Sequence, residues 1–308
     1  MKKKLLAAVS LVIGTAVLAT GALANYSSSN GYDILKKSVI GTLGSENYTM
    51  KLSCNVTTSD GKTLCYSNEL EQFDKATGAY YNEEHNKNFS AHDTFNIHSR
   101  FANNNFEYYA YSFYDENDEE NINAGKFMYN DRIYASPEAD NDPGLLACFN
   151  SNEKAVHFAE LLTDTLVGDL KNNFTLKSKD DNGSTYEIKL SSVQIPELVN
   201  AGSALLFGNL NADYSDESSE EAQAILSLGD NPSVSEASLV FSVDKENNFK
   251  DAKAIGVISG NGHSITVEIN VSLSDVGTTV PQTISDELKK QADEDYEYYN
   301  AEDTEAVG

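Results

Sequence analysis

Serine and lysine stand three residues apart at Ser59/Lys62, Ser151/Lys154 and Ser242/Lys245. At that spacing an amine can activate a hydroxyl nucleophile at the start of a helix. Only Ser151 falls near a predicted helix start, and no Lys-Thr-Gly or Ser-Asp-Asn sequence supplies the partners. So loose a pattern recurs by chance. The histidines are His85, His92, His98, His157 and His263, and none has a second ligand at tight metal-binding spacing. His92 and His98 share a strand parity, but six residues of strand hold them about 20 Å apart. Residues 178–189 imitate a calcium loop at Asp180, Asn182 and Gly183. Ser178 takes the first position, however, and Lys189 the twelfth, where calcium needs carboxylates. No Gly-x-Ser-x-Gly, Walker or dinucleotide-binding glycine pattern is present. These residues assign no catalytic chemistry, no metal and no cofactor, and the chain reads as non-enzymatic.

A binding surface is better represented. Phe106, Tyr108, Tyr109, Tyr111, Phe113 and Tyr114 put rings on both faces of one predicted strand. Core packing accounts for one face. The other needs a cover: helices, a ligand or a partner. Near the C-terminus Leu239 and Phe241 point the same way as the long apolar phase Ile265, Val267, Ile269, Val271 and Leu273. The candidate ligand-lining residues are Tyr109, Tyr111, Phe113, Leu239 and Phe241, each with a core role as its alternative.

Those residues must be carried by a sheet. Tyr48, Met50, Leu52, Cys54 and Val56 alternate with polar residues, a half-buried strand. Asp60-Gly61 turns it into a second strand over 64–73. A two-residue turn there pairs Val56 with Cys65 and Cys54 with Ser67. Further strands are expected at 79–81, 95–102, 106–114 and 126–135. A hairpin over 174–191 turns at Asp181-Asn182-Gly183, and three closing strands end the domain. Helical spacing appears at 32–43 through Leu35, Val39, Ile40 and Leu43, and again at 151–170. A third helix starts at Gln194-Ile195-Pro196, where proline suits the first turn. A short one is expected at 220–228. Strands with one apolar and one polar face make antiparallel sheet. The expected fold is α+β: a large curved antiparallel sheet with helices covering one face.

The chain opens with Lys2, Lys3 and Lys4, an apolar run and Ala22-Leu23-Ala24, the layout of a cleaved export signal. An uncleaved membrane anchor is the alternative. The expected division is a signal over 1–24, a polar leader over 25–30, one domain over 31–280 and an acidic, disordered tail over 281–308. The formal charge is −26, with 48 acidic against 22 basic residues. Such a chain repels nucleic acid and anionic lipid head groups. Three cysteines make no disulfide framework. Cys54 and Cys65 share a strand face but sit diagonally, about 7–8 Å apart, so whether they bridge stays open.

An opening helix begins Gly31-Tyr32-Asp33-Ile34-Leu35 and leads into Glu46-Asn47-Tyr48-Thr49-Met50-Lys51 and a long meander. A Gln194-Ile195-Pro196 helix and three strands follow. In this order of elements the chain resembles the LolA-like lipoprotein-carrier superfamily over residues 31–276, and within it the secreted Gram-positive members. The resemblance implies an incomplete barrel with an apolar concave face lidded by helices, and binding of acyl chains or other lipid-like cargo. The chain departs from it in its acidity and in having no cysteine to acylate after the signal. Two functions follow as expectations. One is a secreted binding protein holding a lipid-like or other apolar ligand. The other is an extracytoplasmic sensor or protein-interaction module with no small ligand, whose partner is an envelope protein. A hydrolase on an unfamiliar scaffold is a distant third. Ligand identity and oligomeric state are not written in the sequence.

Overall fold

Twelve-residue strands such as Ser233–Asp244 send alternate residues to opposite faces, and here one of those sets is apolar enough to need a cover. The computed structural model describes residues 31–42, 45–87, 94–102, 107–115, 129–136, 173–195, 197, 199–201, 204, 220–229, 231–286 and 290. The expected signal, the helix at 151–170 and the tail beyond 290 lie outside them.

Among the described residues, eleven strands form one antiparallel sheet. They are β1 (Asn47–Thr58), β2 (Thr63–Asp74), β3 (Ala79–Lys87), β4 (Thr94–Ala102), β5 (Glu107–Asp115), β6 (Tyr129–Ser136), β7 (Thr175–Asp180), β8 (Gly183–Ser191), β9 (Ser233–Asp244), β10 (Phe249–Gly260) and β11 (His263–Ser274). Their spatial order is β6-β5-β4-β3-β2-β1-β11-β10-β9-β8-β7. Two meanders are therefore joined where the first strand meets the last, from Thr49 opposite Ser274 to Thr58 opposite Ile265. Among the described residues β6 and β7 are the two edges and do not pair with each other, so the sheet stays open. The architecture is the expected one: an α+β half-barrel with helices on one face.

Turn chemistry sets the registers. Asn261 and Gly262 both have positive φ, 49° and 79°, and make a two-residue hairpin between β10 and β11. The β1–β2 turn differs from expectation. The Thr58 amide donates to the Lys62 carbonyl at 2.9 Å, which encloses three residues, and Gly61 takes φ 88°. An irregularity between Val56 and Thr57 absorbs the extra residue. Val56 still pairs with Cys65 and Cys54 with Ser67, as a two-residue turn predicts. Both cysteines are buried thiols and neither is in a disulfide.

The main core lies under β8, β9, β10, β11 and β1. Ile188, Leu239, Phe241, Ile258, Val267 and Val56 meet Tyr32 and Leu35 of the opening helix Gly31–Thr42, and Ile225 and Leu228 from the chain around the short helix Glu220–Leu226. Asp33 lies in the first turn of the opening helix, where its carboxylate complements the helix dipole. A 3₁₀ turn at Ser192–Gln194 brings Ile195 and Val199 into the same core, and Glu197, Val199, Asn200, Ala201 and Ala204 are helical. The chain after the short helix runs hard against β10: a Cβ on Gly260 would lie 2.1 Å from the Leu228 carbonyl oxygen. A smaller cluster of Tyr48, Met50, Phe73 and Tyr80 sits toward the far end of β1, β2 and β3. Among the described residues no helix is long and apolar enough to cross a membrane.

Candidate functional site: a polar trough across five strands

Registers through β3, β2, β1, β11 and β10 align two rows on the face away from the main core. One runs Glu83, Leu70, Lys51, Ser272, Asp251. The other runs His85, Asn68, Ser53, Asn270, Lys253. These ten residues line an open trough of about 580 Å³. Leu52, Glu69, Ala252 and Val271 also border it. By strand parity their side chains point the other way, so they offer it backbone. Four strand spacings make the floor roughly 19 Å wide.

Both ends of the trough are internally paired. Lys253 Nζ lies 2.7 Å from Glu268 Oε1. Asn270 Nδ2 donates to Glu268 Oε1 and to Ser53 Oγ, each at 3.1 Å. The Lys253 contact, helped by Asn270, holds the Glu268 carboxyl below the usual glutamate range against the opposing effect of burial. At the other end His85 Nε2 lies 2.8 Å from Glu83 Oε1, and Tyr81 Oη donates to Glu83 Oε2 at 2.5 Å. The His85 hydrogen bond lowers the Glu83 carboxyl most; burial opposes it and Tyr81 assists. By contrast the side chains of Lys51, Asn68 and Asp251 make no hydrogen bond or ion pair among the described residues. The arrangement can donate and accept hydrogen bonds along a wide floor.

The opposite face changes character at β2. Glu71 is 2 % exposed and accepts a short hydrogen bond from Tyr48 Oη and one of 3.3 Å from Tyr80 Oη. Asn82 Nδ2 donates to Glu69 Oε1 at 2.6 Å, and Ser67 Oγ to Glu84 Oε1 at 3.3 Å. These polar residues occupy the same face as the core rows, so the apolar lining expected along the whole concave side is interrupted there. The expectation had followed the apolar alternation of β1 and β11 and not the phase of Ser67, Glu69 and Glu71 in β2.

Of the five candidate lining residues, two are in described surroundings. The Phe241 ring stacks on Tyr186 with centroids 5.2 Å apart and meets Phe174 edge-on at 6.1 Å. Leu239 is buried in the same core between Ile188 and Ala254 in register. Tyr109, Tyr111 and Phe113 lie on β5 opposite Arg100, His98 and Asn96; their side chains fall outside the described residues. The would-be calcium loop is a tight turn in which Asp180 Oδ1 accepts from the amides of Asn182 and Gly183. Ser242 Oγ pairs with Thr185 at 3.3 Å, whereas Lys245 contacts Glu246 at 3.5 Å, so that serine–lysine pair is not assembled. Among the described residues no three metal-binding side chains cluster. The trough itself was missed because it is built from the polar phase of five strands. The signal was present in Lys51, Ser53 and Asn270, but which polar residues align depends on pairings across more than 200 residues of chain.

No protein-family model matches the chain, and no curated protein matches it in sequence. A Brucella abortus β-barrel-like protein of a domain of unknown function, DUF1849, aligns over 75 % of this chain and 99 % of its own, at 8 % identity and a TM-score of 0.22. A Vibrio parahaemolyticus putative outer membrane lipoprotein-sorting protein domain aligns over 84 % of this chain and 96 % of its own, at 8 % identity and a TM-score of 0.18. These scores are too low to establish a shared fold, so the LolA-like resemblance stays a resemblance and the half-barrel rests on its own strand order.

Proposed function

We propose that the protein is an exported, non-enzymatic binding protein that meets its ligand on an open sheet face. The observation that carries the binding role is the trough, whose volume falls within the range of about 300–1,000 Å³ common to ligand sites. Its floor is five hydrogen-bonded strands, so little freedom is lost when a ligand lands. Lys51, Asn68 and Asp251 are there to be engaged. Native mass spectrometry of the protein purified from its own host tests this. A retained ligand should appear as added mass, and the triple variant Lys51→Ala/Asn68→Ala/Asp251→Ala should lack it. Added mass that survives in a folded triple variant would move the site elsewhere.

Export is supported by the tripartite segment 1–24. Sequencing of protein recovered from the medium should start at Asn25. Met1 retained in the membrane fraction would make it an anchored surface protein.

A second reading keeps the lipid-like ligand on the other face. It is favoured by the register, which continues the rows of Asn82 and Glu84 across β4 to Tyr109 and Tyr111. In that reading an environment-sensitive apolar dye binds the parent, and replacing Tyr109, Tyr111 or Phe113 by Ala weakens it. A parent that binds neither dye nor small ligand belongs with the sensor or interaction modules.

A further inference from the structure

We infer that the ligand of the trough is a neutral saccharide chain, an inference that rests on the trough being the binding site. The floor mixes acceptors at Asp251, donors at Lys51 and Asn68, and the hydroxyls of Ser53 and Ser272. Each hydroxyl of a sugar both donates and accepts, so a vicinal pair suits a carboxylate edge beside an amide or ammonium group. Leu70 and the methylene stem of Lys51 stand side by side in one row and supply an apolar strip for the C–H face of a pyranose ring. The floor of roughly 19 Å accommodates about four sugar units, each close to one strand spacing in length.

Other ligand classes fit less well. An acyl chain would strip water from polar side chains and return no hydrogen bonds. A polyanion meets Asp251 and Glu83 at the ends of one row, on a chain of net charge −26. A basic peptide meets Lys51 at the centre of the trough and Lys253 at its edge, while Glu83 and Glu268 are already engaged. A neutral chain of hydroxyls incurs none of these penalties.

The test is a titration of the ¹⁵N-labelled protein, followed by amide chemical shifts. The probes are cellohexaose, chitohexaose and maltohexaose, with hexagalacturonate, inorganic phosphate and laurate as rivals. At least one neutral hexasaccharide should move the amides of Lys51, Ser53, Asn68 and Asn270. Asn68→Ala and Asp251→Ala should each weaken that binding about tenfold. Lys245→Ala, in the β9–β10 turn, should leave it unchanged, and all three variants should melt with the parent. If a rival moves the trough amides and no neutral hexasaccharide does, the ligand class is wrong while the trough stands. If no probe moves them, the inference fails and the trough loses its role as the site.

Discussion

Two buried side chains on the core face make opposite demands on their neighbours. Phe241 is 0 % exposed and held between aromatic rings. Phe241→Ala should destabilise the fold by about 3–5 kcal/mol in denaturant unfolding, the range for a large core ring left as a cavity. A variant near parental stability with altered dye binding would show a cavity wall instead. Glu71 is a buried carboxylate whose tolerance depends on two phenols. Glu71→Ala deprives the buried Tyr48 hydroxyl of that acceptor, a loss of about 1–3 kcal/mol. Adding Tyr48→Phe should recover part of it, because the two changes remove one shared interaction. Additive losses would show that the pair is energetically independent.

At the scale of elements, one close approach governs how the short helix sits on the sheet. Gly260→Ala drives a methyl into the Leu228 carbonyl, and a backbone atom yields less readily than a flexible side chain. Unfolding should report a loss of about 1–3 kcal/mol. Gly262→Ala meets nothing within 4 Å but sits at φ 79°, so its loss should be near 1 kcal/mol and purely conformational. A larger effect at position 262 than at 260 would contradict the packing described. The pairs at the trough ends add a pH term. The Glu83 and Glu268 carboxyls are held below the ordinary glutamate range by these partners. A depressed carboxylate pKa stabilises the fold fully above the unfolded value, and the contribution is lost as pH falls through the folded value. The melting temperature should therefore drop below about pH 4.5. His85→Ala and Lys253→Ala should each make the drop shallower. The change should be modest, because both pairs are partly exposed and screened.

Over the whole molecule, the two meanders are tied together in the middle of the strand order by the chain that follows β11. Asn47 Nδ2 donates to the Thr279 carbonyl at 2.9 Å, and the Thr279 amide returns a bond to Asn47 Oδ1 at 2.7 Å. Pro281 is buried, and the Gln282 amide donates to Gln72 Oε1 at 2.9 Å. The chain is thus still packed at Pro281 and Gln282. A protein ending at Ser285 should melt within a few degrees of the parent, whereas one ending at Ser274 loses these contacts and should melt clearly lower. Equal melting of the two would show that the clamp contributes nothing.

Alternation within a strand is local, so Tyr48 to Val56 and Ile265 to Leu273 announced their strands and their apolar face in the sequence. The Asn261-Gly262 turn is equally local, since it takes positive φ at both residues and few other pairs tolerate it. An antiparallel sheet with one face under helices follows from one-sided strands; the half-barrel shape was what the family resemblance implied. Only the tertiary structure decided which residues share a row across strands. Lys51 stands beside Ser272 and Asp251 because β1 pairs with β11, and no local pattern encodes a contact over that separation. The same holds for the acidic seam on the core face. Glu69 and Glu71 look like ordinary solvent residues until the register sets them opposite Leu52 and Met50. Strand propensity and parity are properties of a few consecutive residues. A binding surface belongs to the pairing order of the whole sheet, which is chosen by the total burial of all its faces at once.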